Sequence, residues 1–96
     1  MIRMFLSKAA AIHLIGIGGT GLSAIARVLL ESGYRVSGSD RALSPLAEGL
    51  RAAGVTVEIG HRAENVRGAD LVVRSSAIPD DNVEVQAARQ AGIPVL

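Results

Sequence analysis

The chain has 96 residues, 49% of them hydrophobic and 20% charged, enough for one modest core and too apolar for a disordered tail. Ten Lys and Arg against nine Asp and Glu leave a net charge of +1, and Phe5 and Tyr34 are the only aromatics, so neither a cationic field nor a base-stacking platform for nucleic acid exists. Cysteine is absent, which excludes disulfides and cysteine zinc sites and fits a cytoplasmic protein.

Residues 1–10 read as a lead-in with no clear period. Arg3 and Lys8 ahead of AAAIHLIGI loosely mimic a signal peptide, but the apolar run leads straight into glycines and a helical pattern. It is also shorter than the roughly 18 residues of a membrane span. Ile12–Ile17 reads as a short buried strand ending at a glycine cluster. Leu22, Ile25, Ala26, Leu29 and Leu30 then mark one helical face, which Gly33 stops. Arg35–Ser39 is a second strand, closing at Asp40.

Ser44-Pro45 offers an N-cap followed by proline at the first helical position, with Leu46, Ala47, Leu50 and Ala53 as the buried stripe. Val55–Ile59 alternates as a third strand, and after a polar loop Asp70–Arg74 forms a fourth. Asp81 and Glu84 have capping-box spacing and open a helix that Gly92 closes, with Asp80 beside them in a capping role. Ile93–Leu96 reads as a fifth strand, weakened by Pro94. This β-α-β-α-β-β-α-β pattern predicts a Rossmann-like α/β fold: a doubly wound parallel sheet in order 3-2-1-4-5, helices on both faces. A chain that stops on a strand reads as a domain cut from a larger protein.

The segment Gly16-Ile17-Gly18-Gly19-Thr20-Gly21 places G-x-G-x-x-G between the first strand and the first helix. In that context Gly16 allows the tight turn, Gly18 lets a pyrophosphate approach bare backbone, and Gly21 lets the helix pack closely on the sheet. No cation lies between Lys8 and Arg27, so free N–H groups and the helix dipole would hold the phosphates. Asp40 follows Gly21 by nineteen residues, the position of an acid that accepts ribose hydroxyls, so this spacing alone suggests a dinucleotide such as NAD. Lys8, the only lysine, follows Ser7 rather than glycine, so no Walker A loop is present.

In the predicted strand order the first and fourth strands flank the switch-point crevice, where Ser75, Ser76 and Ala77 leave the fourth strand. His61, after the third strand, is within reach of a base or ribose. His13, inside the first strand, reads as a structural histidine. Asp80 and Asp81 lack the further ligands that a metal site needs.

The runs HLIGIGGTGLSAIARVLLESGYRVSGSD, IGHRAENV and VVRSSAIPDDNVEVQAARQAGIPVL resemble the amino-terminal domain of the Mur ligases of peptidoglycan synthesis, the alanine-adding branch in particular. The resemblance covers residues 11–96 and implies UDP-N-acetylmuramic acid, not NAD, as the ligand. By that resemblance Gly18, Gly19, Thr20 and Gly21 take the diphosphate, together with Gly16 at the turn. Asp40 and His61 contact the uridine, Ser39 belongs to the same binding set, and Ser75, Ser76 and Ala77 close over the ligand. It further implies that this domain carries no cofactor of its own. ATP, magnesium and L-alanine are bound by later domains of the parent ligase, so this segment binds without catalysing. Arg74 departs from the family pattern, which has an apolar strand residue there. An NAD(P)-binding dehydrogenase domain, a nucleotide-sensing module and the muropeptide-recycling branch of the same ligases remain alternatives.

Overall fold

The computed structural model describes residues 10–96; the lead-in ahead of Ala10 lies outside them. In chain order the elements are β1 (Ala11–Ile15), α1 (Thr20–Glu31), β2 (Arg35–Asp40), α2 (Pro45–Ala52), β3 (Thr56–Ile59), a 3₁₀ turn (Ala63–Val66), β4 (Leu71–Arg74) and α3 (Val83–Gln90). The strands form one parallel sheet in the order β3-β2-β1-β4. Parallel strands need long crossovers, and the helices that supply them cover both faces. Ile12 and Leu14 pack on the α1 and α2 side with Leu22, Ala26, Ala47 and Leu50. Ile15 and Val72 pack on the opposite side with Val66, Val85 and Ala88.

The predicted topology holds for four strands, and the fifth is reduced to a single parallel bridge between Val95 and Val72. Pro94 has no N–H to give a ladder, yet its carbonyl accepts from Val72 at 2.9 Å, and Leu96 donates to the Val72 carbonyl at 2.9 Å. The segment therefore runs beside β4 in the predicted place without becoming a regular strand.

Local signals set most element ends. Ser44 caps α2 through its hydroxyl, which accepts from Ala47 N at 3.2 Å, and Pro45 is the first helical residue. Gly33 lies past the end of α1 with φ +95°, a left-handed conformation that favours glycine.

Three expectations are corrected. In α2 only Ala47 and Leu50 are buried, while Leu46 and the C-cap Ala53 face outward, so the stripe is one residue narrower on each side. In α1, Ile25 is exposed and the buried face is carried by Leu22, Ser23 and Ala26, with Leu29 and Leu30 partly buried. Asn82, not Asp81, caps α3: its side chain accepts from Glu84 N at 2.8 Å.

Candidate functional site

Register brings the carboxyl ends of three strands level. Ile15 of β1 lies between Ser39 of β2 and Arg74 of β4, so the loops leaving all three converge. Between them lies a cleft of about 400 Å³ lined by Gly16, Gly19, Asp40, Arg41, His61, Ser75, Ala77, Ile78, Pro79 and Asn82. This is the switch point at which open parallel sheets bind ligands.

The glycine loop forms one wall. Gly16 turns the chain at φ +85°, and a Cβ there would stand 3.0 Å from Ser75 Cβ, so the loops after β1 and β4 touch at this position. Gly19 is the N-cap of α1 with no side-chain cap, and no acidic residue occupies the first turn. The Thr20 and Gly21 amides at that end have no intrahelical acceptor, and the helix dipole favours an anion beside them.

Gly18 meets a constraint beyond the one its spacing suggests. Its amide donates to Asp40 Oδ2 at 2.8 Å, and a Cβ there would meet Ser44 Oγ at 2.6 Å and Asp40 Oδ2 at 2.8 Å. The missing side chain makes room for Asp40 and the start of α2. Gly21 has nothing within 4 Å of a Cβ position, so close helix packing is not its role. The crowded glycine is instead Gly38 in β2, where a Cβ would overlap Ile17 of the glycine loop, with Ile17 Cβ at 2.6 Å and the Leu14 carbonyl of β1 at 2.8 Å.

The opposite wall is the segment from Ser75 to Asn82. Ser75 N donates to the Ile15 carbonyl at 3.0 Å and Ser75 Oγ accepts from Ala77 N at 3.2 Å, which folds the loop back towards β1. Ser76 is exposed and does not line the cleft. Arg74 reaches over this segment: Nη1 stands 2.6 Å from Asp80 Oδ1 and donates to the Ile78 carbonyl at 3.3 Å. The Arg74 guanidinium, with Arg89 behind it, holds the Asp80 carboxyl below the usual carboxylate range. Asp80 thus pairs with arginines instead of capping α3. Among the described residues no group of three or more His, Cys, Asp or Glu can hold a metal.

Behind the cleft lies a buried polar hub on Glu84. Its Oε1 accepts from His13 Nε2 at 2.6 Å and Ser39 Oγ at 2.8 Å. Its Oε2 accepts from Asn65 Nδ2 at 2.9 Å and Arg62 N at 3.1 Å, with His61 Nδ1 at 3.2 Å. Burial raises the cost of ionising this carboxyl, but the hydrogen bonds from His13, Asn65 and Ser39, together with the His13 charge, outweigh it and hold the group at about 2. His13 is wholly enclosed, with Nδ1 2.8 Å from Ser37 Oγ, in the structural role its position suggests. Ser39 is also fully buried and sits behind His61, away from the cleft surface.

Of the residues singled out in the sequence, Gly16, Gly19, Asp40, His61, Ser75 and Ala77 meet around the cleft, with Thr20 and Gly21 at the start of α1 beside it. Gly18, Ser39 and Ser76 do not line it. Sequence reasoning passed over Arg41, the one cation among the lining residues, and Glu84. Glu84 was legible in principle: it shares a helical face with Val85 and Ala88, both buried, which is an odd place for a carboxylate without partners.

A family model described as "Mur ligase family, catalytic domain" matches residues 11–96. The chain is 53% identical over 94 residues to a UDP-N-acetylmuramate–L-alanine ligase from Chlorobium phaeovibrioides, covering 97% of this chain and 20% of that protein. Among solved structures it is similar to a UDP-N-acetylmuramate–alanine ligase from Thermotoga maritima, with TM-score 0.85, 36% identity and coverage of 88% of this chain and 20% of that one. A murein peptide ligase from Psychrobacter arcticus gives TM-score 0.84 at 30% identity over 92% of this chain and 19% of its own. The chain thus spans about one fifth of the length of the relatives it matches.

Proposed function

The chain belongs to the Mur ligase family, and from that premise we propose that residues 11–96 are the domain that holds UDP-N-acetylmuramic acid for a ligase adding L-alanine in peptidoglycan synthesis. The observation that carries the reading is the uncapped start of α1 lying beside a cleft walled by Ser75 and Ala77 and edged by His61. In this reading the diphosphate lies against the Thr20 and Gly21 amides, where backbone dipoles replace a lysine. Asp40, fixed to Gly18 and accepting from its neighbour Arg41 N at 2.7 Å, keeps further lone pairs for a ribose hydroxyl. Arg41 adds a cation at the rim.

The segment binds and does not catalyse. No Gly-Lys-Ser/Thr run occurs in the sequence, so a P-loop for ATP is not among these residues. Joining the muramate carboxyl to L-alanine with ATP is assigned to the remainder of a ligase of the relatives' length, acting in the cytoplasm. Among the described residues no helix is long and apolar enough to cross a membrane.

Calorimetric titration of the 96-residue chain tests the reading. UDP and UDP-N-acetylmuramic acid bind more tightly than NAD or NADP, and the chain alone neither hydrolyses ATP nor forms an amide. Preference for NAD would overturn the ligand assignment, since a glycine loop followed by an acid at the end of β2 serves dinucleotides equally well.

A further inference from the structure

The hub behind the cleft fixes more than the packing of α3. Four donors converge on the Glu84 carboxylate from His13, Ser39, Asn65 and the Arg62 amide, an arrangement that favours its ionised form. His61 Nδ1 lies 3.2 Å from Glu84 Oε2 and 3.0 Å from Ser39 Oγ. If the proton sat on Nε2, the Nδ1 lone pair would face a carboxylate oxygen with no hydrogen between them. The single Ser39 hydroxyl proton could relieve that contact only by leaving Glu84 Oε1, 2.8 Å away, facing a second bare lone pair. With the proton on Nδ1, every contact is satisfied: Nδ1 donates to Ser39 Oγ and Glu84 Oε2, and Ser39 donates to Glu84.

The other ring nitrogen is left over. His61 Nε2 has no partner among the described residues, yet no buried side-chain nitrogen or oxygen among them lacks one, so Nε2 is open to solvent. His61 lines the cleft. We infer that Glu84 is a positioning residue that locks His61 in its Nδ1-protonated tautomer, so that the cleft presents a bare imidazole nitrogen and selects a nucleoside carrying a hydrogen-bond donor at that point. The donor is a base imide N–H or a sugar hydroxyl. A nucleoside offering only a lone pair there is rejected, because acceptor would meet acceptor. The ligand half of this inference rests on the UDP reading above; the tautomer half does not.

Nitrogen-15 imidazole spectra of the free chain, at about pH 8 and so above the ordinary imidazole range, read the tautomer directly. The expected result is one Nδ1-protonated form for His61, kept in Ser39→Ala because Glu84 Oε2 remains. In Glu84→Gln, whose carboxamide no longer forces the proton onto Nδ1, the Nε2-protonated form becomes populated. A wild-type ring protonated on Nε2 alone, or on both nitrogens, overturns the inference even if Glu84→Gln fails to fold.

Titrations then locate the donor. Wild type should bind UDP about tenfold more tightly than His61→Phe, the worth of one hydrogen bond. Either N3-methyl-UDP or a deoxyribose analogue should show the same loss in wild type and none in His61→Phe. Equal binding of all three nucleotides by wild type overturns the ligand half. If UDP does not bind wild type at all, the proposed function fails and takes the ligand half with it, while the spectra still decide the role of Glu84.

Discussion

Asp40 Oδ2 accepts a hydrogen bond from the Gly18 amide at 2.8 Å, tying the end of β2 to a loop 22 residues earlier. The bond makes the acid part of the glycine loop as well as of the cleft lining. Asp40→Asn keeps a carbonyl oxygen for Gly18 and should cost little in urea denaturation. Asp40→Ala leaves both the Gly18 and Arg41 amides without their acceptor and should cost about 1–3 kcal/mol. Gly18→Ala should be as harmful for the opposite reason, since its Cβ would occupy the space of Ser44 Oγ and Asp40 Oδ2, an overpacking cost of about 1–3 kcal/mol. Equal urea midpoints for Asp40→Ala and wild type would show that this bond stabilises nothing.

Glu84 sets a pH dependence. Its carboxyl is lowered in the folded chain to about 2 from an ordinary 4.5, so the folded state binds that proton less readily than the unfolded one. The resulting stability is complete above about pH 4.5 and is lost as pH falls towards 2, with a ceiling of about 3 kcal/mol from the size of the shift. Thermal melts between pH 6 and pH 2 should therefore show wild type losing its advantage over Glu84→Gln as acid is added. A constant gap across that range contradicts the assignment.

Arg74 holds a loop and not the core. Its partner Asp80 is exposed, so Arg74→Ala should leave the urea midpoint close to wild type. The Ile78 amide, which donates to the Ser75 carbonyl at 3.0 Å beneath the arginine, should exchange with solvent faster. UDP affinity should fall less than in Gly18→Val, which puts still more bulk against Asp40. An unfolded Arg74→Ala would mean that the guanidinium supports β4 itself.

Two glycine substitutions should move stability in opposite directions. Gly38→Ala drives a Cβ into Ile17 and the Leu14 carbonyl, neither of which can swing aside, and should cost about 3 kcal/mol or more. Gly49→Ala, inside α2 with only Arg27 Nη2 at 3.8 Å, should gain about 0.5–1 kcal/mol from helix propensity. Urea midpoints of the two variants measured together check both.

The legible features were those whose cause lies within a few residues. Ser44-Pro45 at the start of α2, Gly33 past the end of α1 and the glycine run between β1 and α1 all announce themselves locally, and alternation of strand with helix then dictates the β3-β2-β1-β4 order. Glu84 was read only as a helix-start acid because its partner His13 stands 71 residues away and the contact exists only once β1 and α3 are packed. Motif spacing likewise named Gly21 as the packing glycine, whereas the contact that forbids a side chain falls on Gly38, in the neighbouring strand. Pro94 did signal the weakness of the fifth segment, through the amide it lacks.

The sheet is supported unequally on its two sides. β1 is hydrogen-bonded along its length to β2 and β4, while among the described residues the outer edge of β4 is held by one bridge at Val95 and the Arg74–Leu96 bond. Amides inside β1 can therefore exchange only when the whole domain opens, whereas those of Val72 and Arg74 escape when residues 94–96 lift away. The glycine loop grows from the stiff half of the molecule and the segment from Ser75 to Asn82 from the compliant half. One jaw of the cleft is consequently rooted in the centre of the sheet and the other in the strand that borders its irregular fifth segment.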